Sequence, residues 1–166
     1  VLISEEYREL NRELHSRRAA YGTSGQRYAP GVRSLMDLHD TSDVLDYGCG
    51  KRTLEQALGG EIANYDPAIA GLDAAPEPHD IVACTDVLEH LEPYCVDDVI
   101  DDLRRVTRKA LFLTIATRVS KRTLADGRNA HLIVEGAPFW LPILWKAGFE
   151  VLQFAAFPGE LQLICR

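Results

Sequence analysis

Apolar positions along the chain change period several times, and each change marks an element. Tyr7, Leu10 and Leu14 recur at helical spacing amid Glu, Arg and Asn. They follow Ser4, a good N-cap, and predict a first helix that ends by Ala20. Tyr21-Gly22-Thr23-Ser24-Gly25 reads as a turn, and Pro30 as the first position of a second helix with Val32, Leu35 and Met36 on one face. At Asp43-Val44-Leu45-Asp46-Tyr47 the pattern becomes a short β-branched and apolar run that stops at Gly48-Cys49-Gly50. A helix from Thr53 to Leu58 follows, closed by Gly59-Gly60. Ile62 to Tyr65 predicts a strand ending at Asp66, and Ile81-Val82-Ala83-Cys84 another that runs into Thr85-Asp86. Val96, Val99, Ile100, Leu103 and Val106 form the apolar stripe of an amphipathic helix. A strand over 110–116, a basic loop, a helix around Trp140 to Lys146 and strands near 149–156 and 160–165 complete the chain. Strands alternating with helices predict an α/β sandwich with a mostly parallel sheet.

One connection is anomalous. Only 13 residues separate Asp66 from Asp80, and residues 67–79 contain three prolines and no helical period. A parallel crossover needs at least about ten to twelve residues including its helix, so no complete strand between two helices fits there.

Composition narrows the class. The 166 residues are 46% hydrophobic and 26% charged, ordinary for one globular core. A net charge of -7 argues against general binding to nucleic acid or anionic membrane, because the whole-molecule field repels phosphate. No apolar run approaches the roughly 20 residues that span a bilayer, and no signal-peptide pattern opens the chain. Cys49, Cys84, Cys95 and Cys165 lack C-x-x-C spacing and read as reduced, buried thiols of a cytoplasmic protein.

The Asp46-Tyr47-Gly48-Cys49-Gly50 stretch lies between a strand and a helix, where glycines let backbone approach a ligand. A tight turn without ligand would read the same way. Thr53 stands where a dinucleotide fingerprint needs its third glycine, which disfavours NAD. Asp66, 20 residues after Asp46 and at a strand end, has the position of a carboxylate that chelates ribose hydroxyls.

Val44-Leu45-Asp46-Tyr47-Gly48-Cys49-Gly50, Tyr65-Asp66-Pro67 and Asp80-Ile81-Val82-Ala83-Cys84-Thr85-Asp86-Val87-Leu88-Glu89-His90-Leu91 resemble the successive motifs of class I S-adenosylmethionine-dependent methyltransferases. The similarity runs in order over residues 40–165. It implies a Rossmann-like methyltransferase sandwich of six to seven strands with an antiparallel last strand. The family's third strand is reduced or absent, as the short 67–79 connection requires. It implies one domain, with residues 1–39 capping the cofactor site and 40–166 forming the core. Gly48 and Gly50 would line the methionine portion of S-adenosylmethionine and Asp66 would hold its ribose. Asp46, Cys49, Pro67 and Asp86 belong to the same motifs, and Tyr28 or Tyr21 of the N-terminal segment could close over the cofactor. The family's third motif glycine is missing, with Lys51-Arg52 in that stretch.

Asp86, Glu89 and His90 would share one face of a helical turn. They resemble the E-x-x-E-H element of small-RNA terminal 2′-O-methyltransferases and ubiquinone-pathway O-methyltransferases. In that resemblance a later histidine, here His131, completes a divalent-metal site that grips neighbouring substrate hydroxyls. The other reading leaves Glu89 and His90 as pocket residues without metal. Either way His131 or His90 would be the catalytic base. The 118–131 loop carries Arg118, Lys121, Arg122 and Arg128 against Asp126 alone, locally +3. With the turn Asp126-Gly127-Arg128-Asn129 it reads either as a solvated loop or as a site for an anionic substrate held by Arg118, Arg128 and Asn129. Asp97, Asp98, Asp101 and Asp102 read as a solvated acidic face at a helix start. The expected activity is O-methylation of a small polar or anionic acceptor, such as a diol or a phosphorylated compound. Methylation of a nucleotide or nucleic-acid terminus is one alternative, and a silent cofactor-binding subunit of a homodimer or larger complex is another.

Overall fold

The computed structural model describes residues 1–17 and 21–166. Two helices open it, α1 (Glu5–Arg17) and α2 (Gly25–His39). Strand β1 (Val44–Tyr47), helix α3 (Thr53–Leu58) and strand β2 (Ala63–Tyr65) form the first crossover unit. Strand β3 (His79–Thr85), helix α4 (Val96–Val106) and strand β4 (Thr107–Ala116) form the second. Helix α5 (Ala137–Lys146) and the hairpin β5 (Val151–Phe157) and β6 (Glu160–Cys165) close the chain. The six strands make one sheet in the order β2-β1-β3-β4-β6-β5. The first four are parallel, and β6 runs antiparallel to both β4 and β5.

Strand β1 and the central parts of β3 and β4 are buried on both faces, so apolar residues run on there with few polar alternates, whereas the edge strand β2 is only partly buried. Val44, Ile81, Ala83, Ala110 and Phe112 face Tyr28, Val32 and Leu35 of α2 and Leu54 and Leu58 of α3. Leu45, Val82, Cys84, Leu111 and Leu113 face the α4 stripe and Trp140 and Leu144 of α5. Successive Cβ atoms point to opposite faces, which is how one short strand feeds two cores.

No strand occupies residues 66–78, so the sheet has six strands rather than seven. A compact turn fills the gap: Ile69 N–H donates to Asp66 O, Leu72 N–H to Ile69 O, and Asp66 N–H to Leu72 O at 2.9 Å. The second helix departs from expectation. It starts at Gly25, and Pro30 lies inside it. Tyr28 and Ala29 are already buried against the sheet, and that packing outweighs the hydrogen bond that Pro30 cannot make. Pro30 itself is exposed, on the side where water can satisfy the unpaired carbonyl. The expected end of the first helix at Ala20 lies outside the described residues. All four cysteines are free and buried. The acidic face is only partly solvated, because Asp102 accepts a 2.9 Å hydrogen bond from the Tyr47 hydroxyl. Among the described residues no helix is long and apolar enough to cross a membrane.

Gly31 lets α2 lie directly on the sheet. A Cβ there would stand 2.6 Å from the Phe112 ring, which is buried and has nowhere to move. Gly31→Ala should therefore lower stability by about 1–3 kcal/mol, although glycine to alanine in an open helix gains about 1 kcal/mol. Urea denaturation checks this, and a stabilised variant would show that α2 is not seated as described.

Candidate active site

Three strand ends meet at one edge of the sheet. After β1 the backbone turns at Gly48 (φ 81°), whose N–H, with that of Cys49, donates to Tyr65 O at 2.7 and 3.0 Å. A side chain on Gly48 would strike Val87. After β2, Asp66 accepts hydrogen bonds from Gly50 N–H (3.1 Å) on Oδ2 and from Ala68 N–H (3.0 Å) on Oδ1. Each carboxylate oxygen keeps a second acceptor site. After β3, Asp86 adopts the left-handed conformation (φ 55°), with its N–H donating to Thr114 O at 3.2 Å. All three ends open onto a cavity of about 290 Å³.

The N-terminal segment roofs this cavity. Ser4 caps α1 by accepting from Tyr7 N–H (3.1 Å), and its own hydroxyl donates to Glu92 at 2.8 Å. The Tyr7 hydroxyl donates to His90 O at 2.5 Å. At the other end Gly22 O accepts from Lys51 N–H (2.8 Å), and a Cβ on Gly50 would lie 2.7 Å from that same oxygen. Gly50 thus keeps its bare backbone for the close approach of Gly22. Tyr7, Asn11, His15 and Tyr21 face the cavity. His15 Nε2 lies 4.0 Å from Asp66 Oδ2, and burial holds its pKa below the ordinary histidine value.

Glu89, His90 and His131 form the cavity's chemical centre, each offering a ligand atom within 4.8 Å of the others. Glu89 and His90 sit on a single 3₁₀ turn, Leu88–His90. Glu89 is fully buried; Oε1 accepts from Ala116 N–H (3.1 Å), while Oε2 has no hydrogen-bond partner among the described residues. Burial first, and the nearby Asp86 second, push its pKa up to about 8. His90 Nδ1 lies 2.6 Å from Ala130 O and His131 Nδ1 2.6 Å from Arg118 O. Only an N–H can face a carbonyl, so in both neutral rings Nε2 carries the lone pair. Burial, with His131 adding to it, lowers the His90 pKa to about 4, and burial also lowers that of His131. Two neutral imidazoles oriented by backbone carbonyls, beside an unpartnered carboxylate oxygen, are a donor set that fits a divalent cation.

Asp86 is not part of this cluster. Its left-handed backbone takes it off the Glu89–His90 turn, and Oδ1 accepts instead from the Tyr28 hydroxyl (3.2 Å) and the Thr114 hydroxyl (3.3 Å). The four-ligand expectation reduces to three. Gly48, Gly50, Asp66, Pro67, Asp86, Arg118 and the three clustered residues line the cavity. Asp46, Cys49, Tyr28, Arg128 and Asn129 do not. Asp46 is enclosed in β1, where burial and Asp66 raise its pKa to about 7. Cys49 is buried beneath the glycine turn. Tyr28 is fixed on the sheet side of α2, its hydroxyl 2.8 Å from Glu160 Oε2, because that helix begins before Pro30. Arg128 pairs with Asp126 at 2.6 Å, and Asn129 stitches the loop through Ser120 and His131. Sequence reasoning missed His15, Asn11, Glu92, Ser120 and Arg122, all cavity-lining. Tyr7, Asn11 and His15 recur every four residues on α1, a polar stripe that could have flagged two of them.

No protein-family model and no curated protein matches the sequence. Among solved structures the chain is similar to DhpI in complex with SAH, at 18% identity and a TM-score of 0.69, covering 98% of each chain. It is similar to Burkholderia thailandensis 1,6-didemethyltoxoflavin-N1-methyltransferase with bound 1,6-didemethyltoxoflavin and S-adenosylhomocysteine, at 15% identity and a TM-score of 0.65, over 100% of this chain and 91% of that one. Magnesium protoporphyrin IX methyltransferase (ChlM) from Synechocystis PCC 6803 with bound SAH gives 17% identity and a TM-score of 0.61, over 84% and 81% of the two chains. The shared feature is the fold, the Rossmann-like methyltransferase sandwich, here with six strands.

The buried acid has a measurable signature. Its folded pKa, about 8, lies above the ordinary glutamate value, so its contribution is present in acid and is lost as pH rises through about 8. His90 has the opposite sign: its contribution is present above the ordinary histidine pKa and fades as pH falls through about 4. Above pH 6.5 only the Glu89 effect remains of these two. The stability of metal-free wild type relative to Glu89→Gln should therefore fall between pH 6.5 and 8.5 in denaturant titrations. A constant difference would mean that Glu89 is already ionised.

Proposed function

We propose that the chain binds S-adenosylmethionine in this cavity and transfers its methyl group to an oxygen of a small polar acceptor. The carrying observation is Asp66: a carboxylate at the end of β2, fixed by Gly50 and Ala68 N–H groups, with acceptor sites left over in the cavity that also holds Glu89, His90 and His131. Structural neighbours named as complexes with S-adenosylmethionine or its product support the reading.

Bound there, S-adenosylmethionine supplies a methyl on a sulfonium that is already a good leaving group. The protein's work is alignment, exclusion of water and removal of the acceptor's proton. Asp66 accepts the two ribose hydroxyls. Tyr7, Tyr21 and Gly22 line the cavity on its roof side, where they would limit the approach of water to a bound cofactor. Of the three clustered groups, Glu89 is protonated at neutral pH and His90 is too weak a base. The acceptor's proton therefore goes to Nε2 of His131. Alternatively, the same three residues, with Glu89 deprotonated, would hold a divalent cation on the Nε2 lone pairs; it would then supply Lewis acidity that acidifies the hydroxyl in place of His131 as base, and their nitrogen donors favour manganese, iron, nickel or zinc over magnesium. A nucleic-acid acceptor is disfavoured by the net charge of -7.

Calorimetry with S-adenosylmethionine should give micromolar-range binding, weakened about tenfold or more in Asp66→Ala because hydrogen bonds to a charged acceptor are lost. Equal affinity in that variant, or preference for NAD, contradicts the assignment. Release of S-adenosylhomocysteine with a small hydroxylated acceptor separates an enzyme from a silent binding subunit. For the cation, manganese binding followed by electron paramagnetic resonance should be lost in Glu89→Gln and in His131→Ala. Unchanged binding in both variants would place the metal elsewhere.

A further inference from the structure

The cavity's charges do not balance internally. Four carboxylates line it: Asp66, Asp86, Glu89 and Glu92. Three have partners in place. Asp66 takes Gly50 and Ala68 N–H groups, Asp86 the Tyr28 and Thr114 hydroxyls, and Glu92 the Ser4 and Tyr94 hydroxyls. The fourth, Glu89, is fully buried, and its Oε1 accepts from Ala116 N–H at 3.1 Å. Two guanidinium groups line the same cavity on the wall that carries His131, and neither pairs with any of these acids among the described residues. Arg118 spends one Nη on Gly159 O at 2.7 Å. Arg122 is half-buried and its guanidinium makes no hydrogen bond or ion pair among the described residues. Ser120 lies beside it: its Oγ accepts from Arg122 N–H at 3.0 Å, which leaves the hydroxyl proton to donate. The loop's other arginine, Arg128, already has its carboxylate in Asp126.

A guanidinium partly withdrawn from water without a counterion is a cost that a ligand anion removes, and its planar fork matches an oxyanion better than any neutral group. We propose that the methyl acceptor is itself anionic, a small molecule bearing a carboxylate or phosphoryl oxyanion. That group is held by the Arg122 guanidinium and the Ser120 hydroxyl with Arg118 adjacent, while the acceptor's nucleophilic oxygen is turned to Glu89, His90 and His131. Arg122 is then the residue that sets substrate class. This rests on the methyl-transfer reading for the word acceptor, but not for the anion site itself.

The test titrates inorganic phosphate, lactate and propane-1,2-diol into the full chain saturated with S-adenosylhomocysteine, with NMR-detected binding. Phosphate or lactate should bind at least about tenfold tighter than the diol, and Arg122→Gln should weaken that binding by about tenfold or more. Arg128→Gln, whose ion pair is exposed and outside the cavity, should bind as wild type does. Tighter phosphate assigns a phosphoryl acceptor, and tighter lactate a carboxylate. Diol binding as strong as anion binding, anion binding unchanged in Arg122→Gln, or no anion binding at millimolar concentration would each overturn the proposal. If S-adenosylhomocysteine itself fails to bind, the methyl-transfer reading falls. Phosphate titration of the chain alone, wild type against Arg122→Gln, then still decides the anion site.

Discussion

The parallel pairing of β1 with β2 on one side and β3 on the other is the constraint on which the site depends. With Tyr47 opposite Tyr65 and Asp46 opposite Ala83, the three strands finish at the same edge. The chain leaves β1 towards β2, then crosses back to β3, so the helices diverge and a crevice opens at the strand ends. Two of the three exits are made abrupt by backbone that most residues avoid: Gly48 at φ 81° and Asp86 at φ 55°. Asp66 completes the edge by bonding back to Gly50, which ties the β2 exit to the β1 exit. Loss of this register would scatter the site residues even if every helix still formed.

The roof is a second layer added to that edge. It is tied down by the Ser4–Glu92 and Tyr7–His90 hydrogen bonds at one end and the Gly22–Lys51 backbone bond at the other; Gly22 leaves no room for a side chain on Gly50, and a Cβ on Gly22 would stand 2.7 Å from the His15 ring. Closing the cavity in this way removes water from Glu89 and His90. The same enclosure raises the pKa of one and lowers that of the other, so both are neutral near pH 7. A neutral, largely buried centre beside two arginines that form no ion pair among the described residues is an arrangement that calls for charge from outside, in a cation, an anionic ligand or both.

Much of this was legible in the sequence. The strands, the amphipathic α4 stripe and the missing seventh strand follow from period and from counting residues 67–79. The Gly48–Gly50 turn, Asp66 and the Glu89-His90 pair follow from strand ends and residue types, and the joining of His131 to that pair from the resemblance to the E-x-x-E-H element. What escaped depends on tertiary contacts or on one dihedral angle. The start of α2 was hidden because Pro30 mimics a helix start, and only the burial of Tyr28 and Ala29 overrules it. Asp86 looks like a ligand at helical spacing until its left-handed backbone turns it to Tyr28 and Thr114. Arg122 was indistinguishable from Arg128 by sequence, since only the fold shows which has its own carboxylate.

The central claim, that this edge is a cofactor and methyl-transfer site, is tested most directly by a crystal structure of the protein grown with S-adenosylhomocysteine. The account predicts the ribose hydroxyls within hydrogen-bond distance of the Asp66 carboxylate and the sulfur facing Glu89, His90 and His131 beneath the Tyr7–Tyr21 roof. Ligand bound elsewhere, or a cavity in which Asp66 contacts only Gly50 and Ala68 at saturating ligand, would contradict it.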